Sequence, residues 1–290
     1  MVAGDDSVII GPGASTPAVS VCIPTYRGTA HLGAAIESVL AQTFADFELI
    51  VIDDNSPDDT AALVARYSDP RLRYLRNEKN LGPEGNWNRC LAEARGMYFK
   101  LLPHDDVLMP ECLARQVQVL ECDQHEHLAL VFCARTIVDQ RARTLMTRAF
   151  PGAGEGILPA RRVVRSCLRH GTNVIGEPGG VLCRRALTRA IGTFDARQPY
   201  LIDLDYWFRL LLKGDAYYLP QPLVAFRVSP GSWSVAIGRG QRTEFCGFIE
   251  RVARNPQYAI SGLDLAVGRF MAGVNNLLRR LLYRFVLIKQ

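Results

Sequence analysis

Short apolar runs alternate with amphipathic segments along the first 133 residues, and two of these runs end in adjacent aspartates. Residues 19–23 and 47–52 are apolar and rich in β-branched side chains, so they predict buried strands. Residues 29–42, between them, carry apolar side chains at helical spacing. Alternation of strand and helix is typical of a parallel sheet covered by helices on both faces. The sequence therefore predicts an α/β fold.

The same reading extends along the rest of the chain. Ser56 is predicted to cap a helix, with Asp59 closing a capping box. Residues 134–160 contain glycine and proline without a clear period, which predicts an irregular excursion. Further strands are predicted at 71–75, 97–102, 128–133, 179–183 and 222–228, and further helices at 85–95, 110–121, 160–170, 204–213 and from about 240 onward.

Composition narrows the class of protein. The 290 residues are 48% hydrophobic and 22% charged, as in a soluble globular chain, and no stretch of about 18 apolar residues predicts a membrane span. The eight cysteines form no CxxC pair, which favours free thiols in a reducing cytoplasm. A net charge of +5 suits an anionic small-molecule or membrane partner, but no dense basic run with aromatics favours nucleic acid.

Two acidic pairs, Asp53-Asp54 and Asp105-Asp106, close the second and fourth predicted strands. Ligands of parallel sheets bind beyond the carboxyl ends of the strands. Paired carboxylates there suit Mg²⁺ or Mn²⁺, which shares the phosphates of a nucleotide and neutralises a departing diphosphate. Aspartate is also common at turns. Because two pairs occupy equivalent strand ends, the functional interpretation is preferred.

Four segments carry a resemblance to a known family: VSVCIPTYRG with the following IVIDDNS, NLGPEGNWNRCLAEARGMYFKLLPHDD, IGTFD, and DLDYWFRLLLKG. Together they resemble family-2 glycosyltransferases with the GT-A fold, over about residues 19–230. The resemblance implies a Rossmann-like, mostly parallel central sheet flanked by helices, with a helical C-terminal extension. It divides the chain into a flexible tail (1–17), a nucleotide-sugar-binding half (18–133), an acceptor-binding half (134–235) and the extension (236–290).

The resemblance also implies roles for single residues in donor binding. Pro24, Thr25 and Tyr26 border the nucleotide base, and Tyr26 can stack on it. Asp54, with Asp53 beside it, accepts a hydrogen bond from the base. Further along the donor, the resemblance assigns the ribose to Asp105, a Mn²⁺ or Mg²⁺ ion to Asp106 and the diphosphate to Arg227.

Asp203 is the general base that the resemblance implies. Inverting transfer is a direct displacement at the anomeric carbon, so the acceptor hydroxyl must lose a proton to a nearby carboxylate. Asp205 is the rival, and on a helix the two side chains point about 200° apart, so only one can face the cleft. For the acceptor, Glu177 lies in a glycine-rich loop and Trp233 in the loop SPGSWS, where it can stack on a sugar.

Residues 263–289 form a basic amphipathic segment with a single acid, Asp264. Such a helix can lie on an anionic membrane surface, pack on its own domain or meet a second subunit in an oligomer, and periodicity does not distinguish these partners.

The predicted function is an inverting glycosyltransferase that moves a sugar from a UDP- or dTDP-linked donor to a glycan or lipid-linked acceptor. Its expected setting is bacterial polysaccharide or glycolipid assembly in the cytoplasm, on the inner face of the membrane. A sugar nucleotidyltransferase would need a more glycine-rich, basic loop than residues 24–28, and a dehydrogenase would need GxGxxG after the first strand. A non-catalytic nucleotide- or sugar-binding relative is the remaining alternative.

Overall fold

The structure, a computed structural model, describes residues 16–228 and 240–287, with side chains as far as residue 278. Trp233 lies outside the described residues. The strands are β1 (Val19–Thr25), β2 (Phe47–Asp53), β3 (Leu72–Arg76), β4 (Tyr98–Leu101), β5 (Val107–Leu108), β6 (Leu128–Val138), β7 (Thr144–Arg148), β8 (Gly156–Leu158), β9 (Val181–Arg184) and β10 (Asp215–Arg227). The helices are α1 (Leu32–Leu40), α2 (Thr60–Val64), α3 (Gly82–Glu93), α4 (Cys112–Cys122), α5 (Ala160–His170), α6 (Arg185–Ile191), α7 (Ile202–Leu210), α8 (Gln241–Ala253) and α9 (Gly262–Leu287).

These strands form one mixed sheet in the order β3-β2-β1-β4-β9-β6-β10-β5, with β7 beside β6 and β8 beside β10. Strands β3, β2, β1 and β4 run parallel, and so do β6 and β10. Strand β9 runs antiparallel between β4 and β6. The predicted mostly parallel sheet flanked by helices is confirmed. Because β1 to β4 are parallel, their carboxyl ends meet at one edge of the sheet.

Each face of the sheet has its own apolar core. On β1, which is buried along its whole length, Val19, Val21 and Ile23 face the core under α1 and α4. Cys22 faces the opposite core, which α3, α5, α7 and α8 cover. This two-sided burial explains why the strands read as continuous apolar runs. Six cysteines lie in these two cores as free thiols, as the sequence predicts.

Residues 134–160 are more regular than the sequence predicts. Strand β6 continues to Val138, and the chain turns back at Asp139 to form β7, which pairs antiparallel with β6. The Asp139 side chain organises this turn by accepting bonds from the backbone N–H groups of Arg141 and Arg143. All five residues of β7 are exposed, so it has no apolar alternation that could have revealed it.

The predicted helix start at Ser56 is wrong. Helix α2 begins at Thr60, and its N-cap, Asp59, makes no side-chain capping bond. Ser56 is instead buried in the turn after β2, where its hydroxyl accepts a hydrogen bond from the backbone N–H of Arg27 at 3.0 Å. A serine side chain can satisfy a loop amide as readily as a helix N-terminus, and sequence spacing does not separate the two.

The C-terminal extension packs partly on its own domain. Asp264 at the start of α9 is fully buried and forms ion pairs with Arg169 at 2.6 Å and Arg165 at 3.3 Å, both on α5. The backbones of the two elements approach so closely that a Cβ on Gly171 would lie 2.4 Å from the amide nitrogen of Ala272. One face of α9 therefore packs against α5 and the residue that follows it.

The opposite face of α9 is open. As far as residue 278, its exposed large apolar side chains are Leu263, Phe270, Leu277 and Leu278, and Phe270 is 70% exposed. Leu263, Phe270 and Leu277 are spaced by seven residues, which places them on one side of a helix. Within the two described ranges, no helix has both the length and the apolarity that crossing a bilayer requires.

Candidate active site

The loop after β1 supplies an exposed aromatic ring at the carboxyl edge of the sheet. Pro24 and Thr25 are buried at the end of the strand, whereas Tyr26 is 40% exposed. The guanidinium carbon of Arg27 lies 5.2 Å from the centre of the Tyr26 ring. The Arg27 backbone is left-handed, with φ of 54°, and its amide is bonded to Ser56. This turn leaves the Tyr26 ring accessible at the sheet edge.

Asp53, the last residue of β2, is fully engaged by the protein. Its Oδ1 accepts a hydrogen bond from the backbone N–H of Ser56 at 2.9 Å, and its Oδ2 accepts one from the Tyr74 hydroxyl at 2.6 Å. Burial and this bond raise the pKa of Tyr74. With its side chain fully buried, Asp53 fixes the turn that presents Asp54.

Asp54 is buried at the start of that turn, and it accepts two hydrogen bonds through Oδ1. Asn77 donates one from Nδ2 at 2.6 Å, and the backbone N–H of Leu81 donates the other at 2.8 Å. Asn77 also bonds to Asn86, whose amide donates to the carbonyl of Ile52 at 3.1 Å. This asparagine network was not predicted. Asn77 directly follows β3, so the same strand-end criterion that selected Asp53 could have found it.

Asp106, beyond β4, has one satisfied and one unsatisfied carboxylate oxygen. Oδ1 accepts a hydrogen bond from the backbone N–H of Arg227 at 3.0 Å. Oδ2 is buried and has no hydrogen-bond partner among the described residues. Burial, followed by the charge of the partly exposed Asp105, raises the pKa of Asp106 well above its ordinary value. A hard divalent cation would satisfy such an oxygen, so this position fits a metal ligand.

Asp106 fits a cation that takes most of its ligands from water and from a bound substrate. Across residues 16–228 and 240–278, no three His, Cys, Asp or Glu side chains lie close enough together to hold a metal ion. A Mg²⁺ or Mn²⁺ ion that binds through one carboxylate, water and the phosphates of its substrate matches this arrangement.

Arg227, predicted to contact the diphosphate, donates the hydrogen bonds of its guanidinium to backbone carbonyls of the protein. Its Nε donates to the carbonyl of Asp105, and its Nη1 donates to the carbonyls of Asp139 and Gln140, all at 3.0 Å. The residue is almost fully buried. The guanidinium therefore joins the acidic turn to the end of β6. Burial of His31 lowers the pKa of that side chain, and the positive charge of Arg227 lowers it further.

A short turn before β9 forms the wall next to Asp106. Glu177 precedes the 3₁₀ turn Pro178–Gly180 and forms an ion pair with the buried Arg135 at 2.5 Å. A Cβ on Gly179 would lie 3.7 Å from Asp106 Oδ2 and 3.0 Å from Leu102, so only glycine fits without displacing neighbours. The negative charge of Glu177 contributes to the raised pKa of Asp106.

Asp203 faces the same turn from the first residues of α7. Its Oδ2 accepts a hydrogen bond from Asn173 Nδ2 at 2.9 Å, and its Oδ1 accepts one from the backbone N–H of Leu204 at 2.7 Å. Burial, with the charge of Glu177 as a further cause, raises the pKa of Asp203 to about 7. A carboxylate with that pKa suits proton transfer near neutral pH. Asn173 was not predicted, because its contact with Asp203 spans 30 residues.

Asp205 points away from this group, as the helical spacing predicts. Its Oδ2 accepts a hydrogen bond from Arg209 Nε at 2.8 Å, and its Oδ1 lies 2.9 Å from Arg251 Nη1. Both oxygens of this buried carboxylate are therefore neutralised by arginines, and they tie α7 to α8. Of the two candidates for the base, Asp203 is the one beside Glu177.

The structure thus brings the predicted residues into two neighbouring groups. Tyr26 and Asp54 lie at the ends of β1 and β2, and Asp106, Glu177 and Asp203 surround the turn before β9. The two groups are adjacent, since a Cβ on Gly28 would lie 3.2 Å from the ring of His104, next to Asp105. Trp233 lies outside the described residues.

Comparison with known proteins assigns the family. The family model described as Glycosyl transferase family 2 matches residues 20–191. An uncharacterized protein of Mycobacterium tuberculosis is 34% identical over 231 residues, which cover 77% of this chain and 71% of that protein. The UDP-Glc:alpha-D-GlcNAc-diphosphoundecaprenol beta-1,3-glucosyltransferase WfgD of Escherichia coli is 37% identical over 102 residues, covering 35% of this chain and 40% of WfgD.

Solved structures share the fold at low sequence identity. TarS 1-349 of S. aureus, in complex with UDP-GlcNAc, superposes with a TM-score of 0.60 at 19% identity, covering 78% of this chain and 66% of that one. The mannosyltransferase PcManGT from Pyrobaculum calidifontis, in complex with GDP-Man and Mn²⁺, gives 0.61 at 17% identity, covering 89% and 70%. In a second crystal structure of TarS 1-349, this chain covers 64% of the TarS chain. The fold is of the GT-A type, and the chain belongs to glycosyl transferase family 2.

Proposed function

We propose that this enzyme is an inverting glycosyltransferase that moves a sugar from a nucleotide-diphosphate donor, UDP- or dTDP-linked, to a hydroxyl of a glycan or lipid-linked acceptor. The observation that carries the proposal is the placement of Asp106 and Asp203 around one turn, Glu177 with Pro178–Gly180. One carboxylate suits the leaving diphosphate and the other suits the attacking hydroxyl. Residues 18–133 form the donor half and residues 134–235 the acceptor half.

The nucleoside binds at the ends of β1 and β2. The exposed ring of Tyr26 stacks on the base, beside Pro24 and Thr25. Asp54 accepts a hydrogen bond from the base, and Asp53 acts behind it by fixing the turn. The solved relatives that hold UDP-GlcNAc and GDP-Man, together with the UDP-Glc in the name of WfgD, support a nucleotide-sugar donor.

The diphosphate lies next to the acidic turn after β4. Asp106, whose buried Oδ2 has no hydrogen-bond partner among the described residues, would hold a Mn²⁺ or Mg²⁺ ion, while Asp105 contacts the ribose. When bound, such an ion would supply positive charge to the leaving diphosphate. Arg227 contributes positive charge from behind the turn, which its bonds to Asp105 and Asp106 keep in place.

Asp203 removes the proton of the acceptor hydroxyl as its oxygen attacks the anomeric carbon. The bond from that carbon to the donor phosphate oxygen breaks as the new glycosidic bond forms, so the configuration inverts and no covalent enzyme intermediate is needed. Asn173 orients the carboxylate, and Glu177, held by Arg135, binds the acceptor. The neutralised Asp205 is not suited to this role.

The acceptor reaches this site from the cytoplasmic side of a membrane. The exposed apolar stripe on α9 and the basic residues of 263–289 support peripheral contact with anionic lipid, and a second subunit is the alternative occupant. The lipid-linked substrate in the name of WfgD agrees with this setting. Phe270→Asp should reduce flotation with anionic vesicles, whereas an unchanged vesicle-bound fraction would contradict membrane contact.

A thermal-shift screen of UDP-, dTDP- and GDP-sugars with Mn²⁺ identifies the donor, because a bound ligand stabilises the fold. With that donor, Asp106→Asn should weaken Mn²⁺-dependent nucleotide binding by at least about tenfold. Asp203→Asn should keep nucleotide affinity and lower turnover by about a hundredfold or more. Calorimetry that detects no nucleotide binding with either metal would contradict the proposal, as would full activity of Asp203→Asn beside an inactive Asp205→Asn.

A further inference from the structure

Lys100 is a buried cation directly beneath the candidate active site. It lies on β4, six residues before Asp106, and its side chain is fully buried. Its Nζ donates hydrogen bonds to two backbone carbonyls, and the Cys112 thiol of α4 is a further side-chain hydrogen-bond partner. None of these partners is a carboxylate. Burying an ammonium group without a counter-charge costs free energy, and hydrogen bonds to its protons reduce that cost. A leucine or methionine would fill the same space more cheaply, so the amine has another role.

Two hydrogen bonds of Lys100 go to the turn that follows Glu177 and to the first residue of β9. Nζ donates to the carbonyl of Gly179 at 2.7 Å and to that of Val181 at 3.2 Å. The carbonyl between them, that of Gly180, accepts a hydrogen bond from Gln116 Nε2 at 2.8 Å. Side chains of β4 and α4 thus donate hydrogen bonds to three consecutive carbonyls. Such a turn has few other ways to satisfy its buried carbonyls.

The position of this turn matters for the chemistry on its other side. Gly179 packs so close that an added Cβ would lie 3.7 Å from Asp106 Oδ2. Glu177, two residues earlier, is held by Arg135 and acts electrostatically on both Asp106 and Asp203. A shift of the turn by about an ångström would therefore change the acceptor side of the site, and reactions of this kind are sensitive to such shifts.

We infer that Lys100 is a positioning residue for sugar transfer. From within the core it fixes the turn of Glu177 and Pro178–Gly180 against Asp106 and Asp203, and so sets where the acceptor hydroxyl meets its base. The inference rests on the proposed function for its catalytic consequence. The structural part, that Lys100 fixes the turn, can be measured without any substrate.

The test compares Lys100→Met, which keeps the length of the side chain and removes its donors, with the unchanged protein. Hydrogen–deuterium exchange of ligand-free protein should show residues 176–181 exchanging at least about tenfold faster, the effect of losing bonds from a charged donor. Peptides from β1 and β2 should keep their protection. Affinity for UDP with Mn²⁺ should stay within about twofold, while turnover of the donor falls about tenfold or more.

Two further variants make the result decisive. Val252→Ala, a buried position on α8, controls for general loss of stability and should leave the exchange of residues 176–181 unchanged. Gln116→Leu removes the middle bond of the turn and should speed the same exchange, even where Lys100→Met does not fold. Unchanged protection of the turn would overturn the inference, and so would a uniform loss of protection or a parallel loss of UDP affinity. Absence of both UDP and dTDP binding by the unchanged protein would reject the proposed function, and hydrogen–deuterium exchange would still decide the role of Lys100.

Discussion

The ionisation of Asp203 sets the pH range over which the proposed mechanism can run. Its pKa of about 7 lies far above the usual value near 4, because burial and the charge of Glu177 outweigh the hydrogen bonds from Asn173 and Leu204. A general base works only when ionised. With that pKa, about one tenth of the enzyme carries an ionised Asp203 at pH 6 and about nine tenths at pH 8.

We therefore expect kcat/KM for sugar transfer to rise about tenfold between pH 6 and pH 8 and to level off above that range. The assay measures nucleotide released from the identified donor at saturating Mn²⁺, with Asp203→Asn as the inactive reference. An unperturbed aspartate would give a rate that is flat over this range, since its pKa is about 4.

Two neighbours should move this pH dependence in opposite directions. Glu177→Gln removes a negative charge that raises the pKa of Asp203, so the rise in rate should shift to lower pH. Asn173→Ala removes a hydrogen bond that stabilises the ionised form, so the rise should shift to higher pH. Shifts in the same direction, or a rise that survives in Asp203→Asn, would refute the assignment of the base.

The raised pKa of Asp203 also makes the free energy of unfolding depend on pH. Folding favours the protonated form of Asp203, so its contribution is present below about pH 4, the unfolded pKa, and is lost as pH rises through about 7. Asp203→Asn should therefore increase the free energy of unfolding relative to the unchanged protein at pH 8, and much less at pH 4. Urea denaturation at the two pH values measures this, and a larger gain at pH 4 would show that the sign is wrong.

Three further predictions concern the frame around the site. The pKa of the buried Asp264 is lowered to about 2, so Asp264→Asn should reduce the free energy of unfolding at pH 7 by about 2 kcal/mol, a difference that fades as pH falls from about 4 to about 2 in denaturant titrations. Gly171→Ala places a Cβ 2.4 Å from the nitrogen of Ala272 at a φ of 62°, so it should lower the Tm by an amount equivalent to about 2 kcal/mol or more, whereas Gly262→Ala, with open space around it, should not. Asp53→Ala leaves a backbone amide and a tyrosine hydroxyl without their acceptor, and it should cost about 3 kcal/mol in chemical unfolding.

The strand ends could be predicted from the sequence because they depend on local pattern. Buried parallel strands are continuous apolar runs, and polar residues that follow them must lie at one edge of the sheet. This pattern alone predicts that Asp54 and Asp106 lie at that edge. It does not distinguish their roles from that of Asp53, because only the folded chain shows that Tyr74 and Ser56 take both oxygens of Asp53.

The partners of the site residues could not be predicted in the same way. Asn173 meets Asp203 across 30 residues, and the backbone of Arg227 meets Asp106 across 121. Arg135 occupies a buried strand position that reads simply as an interruption of an apolar run. Contacts of this kind follow from the tertiary arrangement of the sheet and not from periodicity. Strand β7 is also not predicted from the sequence, because a fully exposed strand has no alternation of apolar and polar residues.

The short pairing of β5 with β10 has a thermodynamic consequence. Val107 and Leu108 pair antiparallel with Ala225 and Val224, and the backbone N–H of Arg227 donates a hydrogen bond to Asp106. The acidic turn is thereby preorganised, and little chain entropy remains to be lost there when a ligand arrives. If the proposed function holds, donor association should therefore proceed without a slow ordering step at this turn.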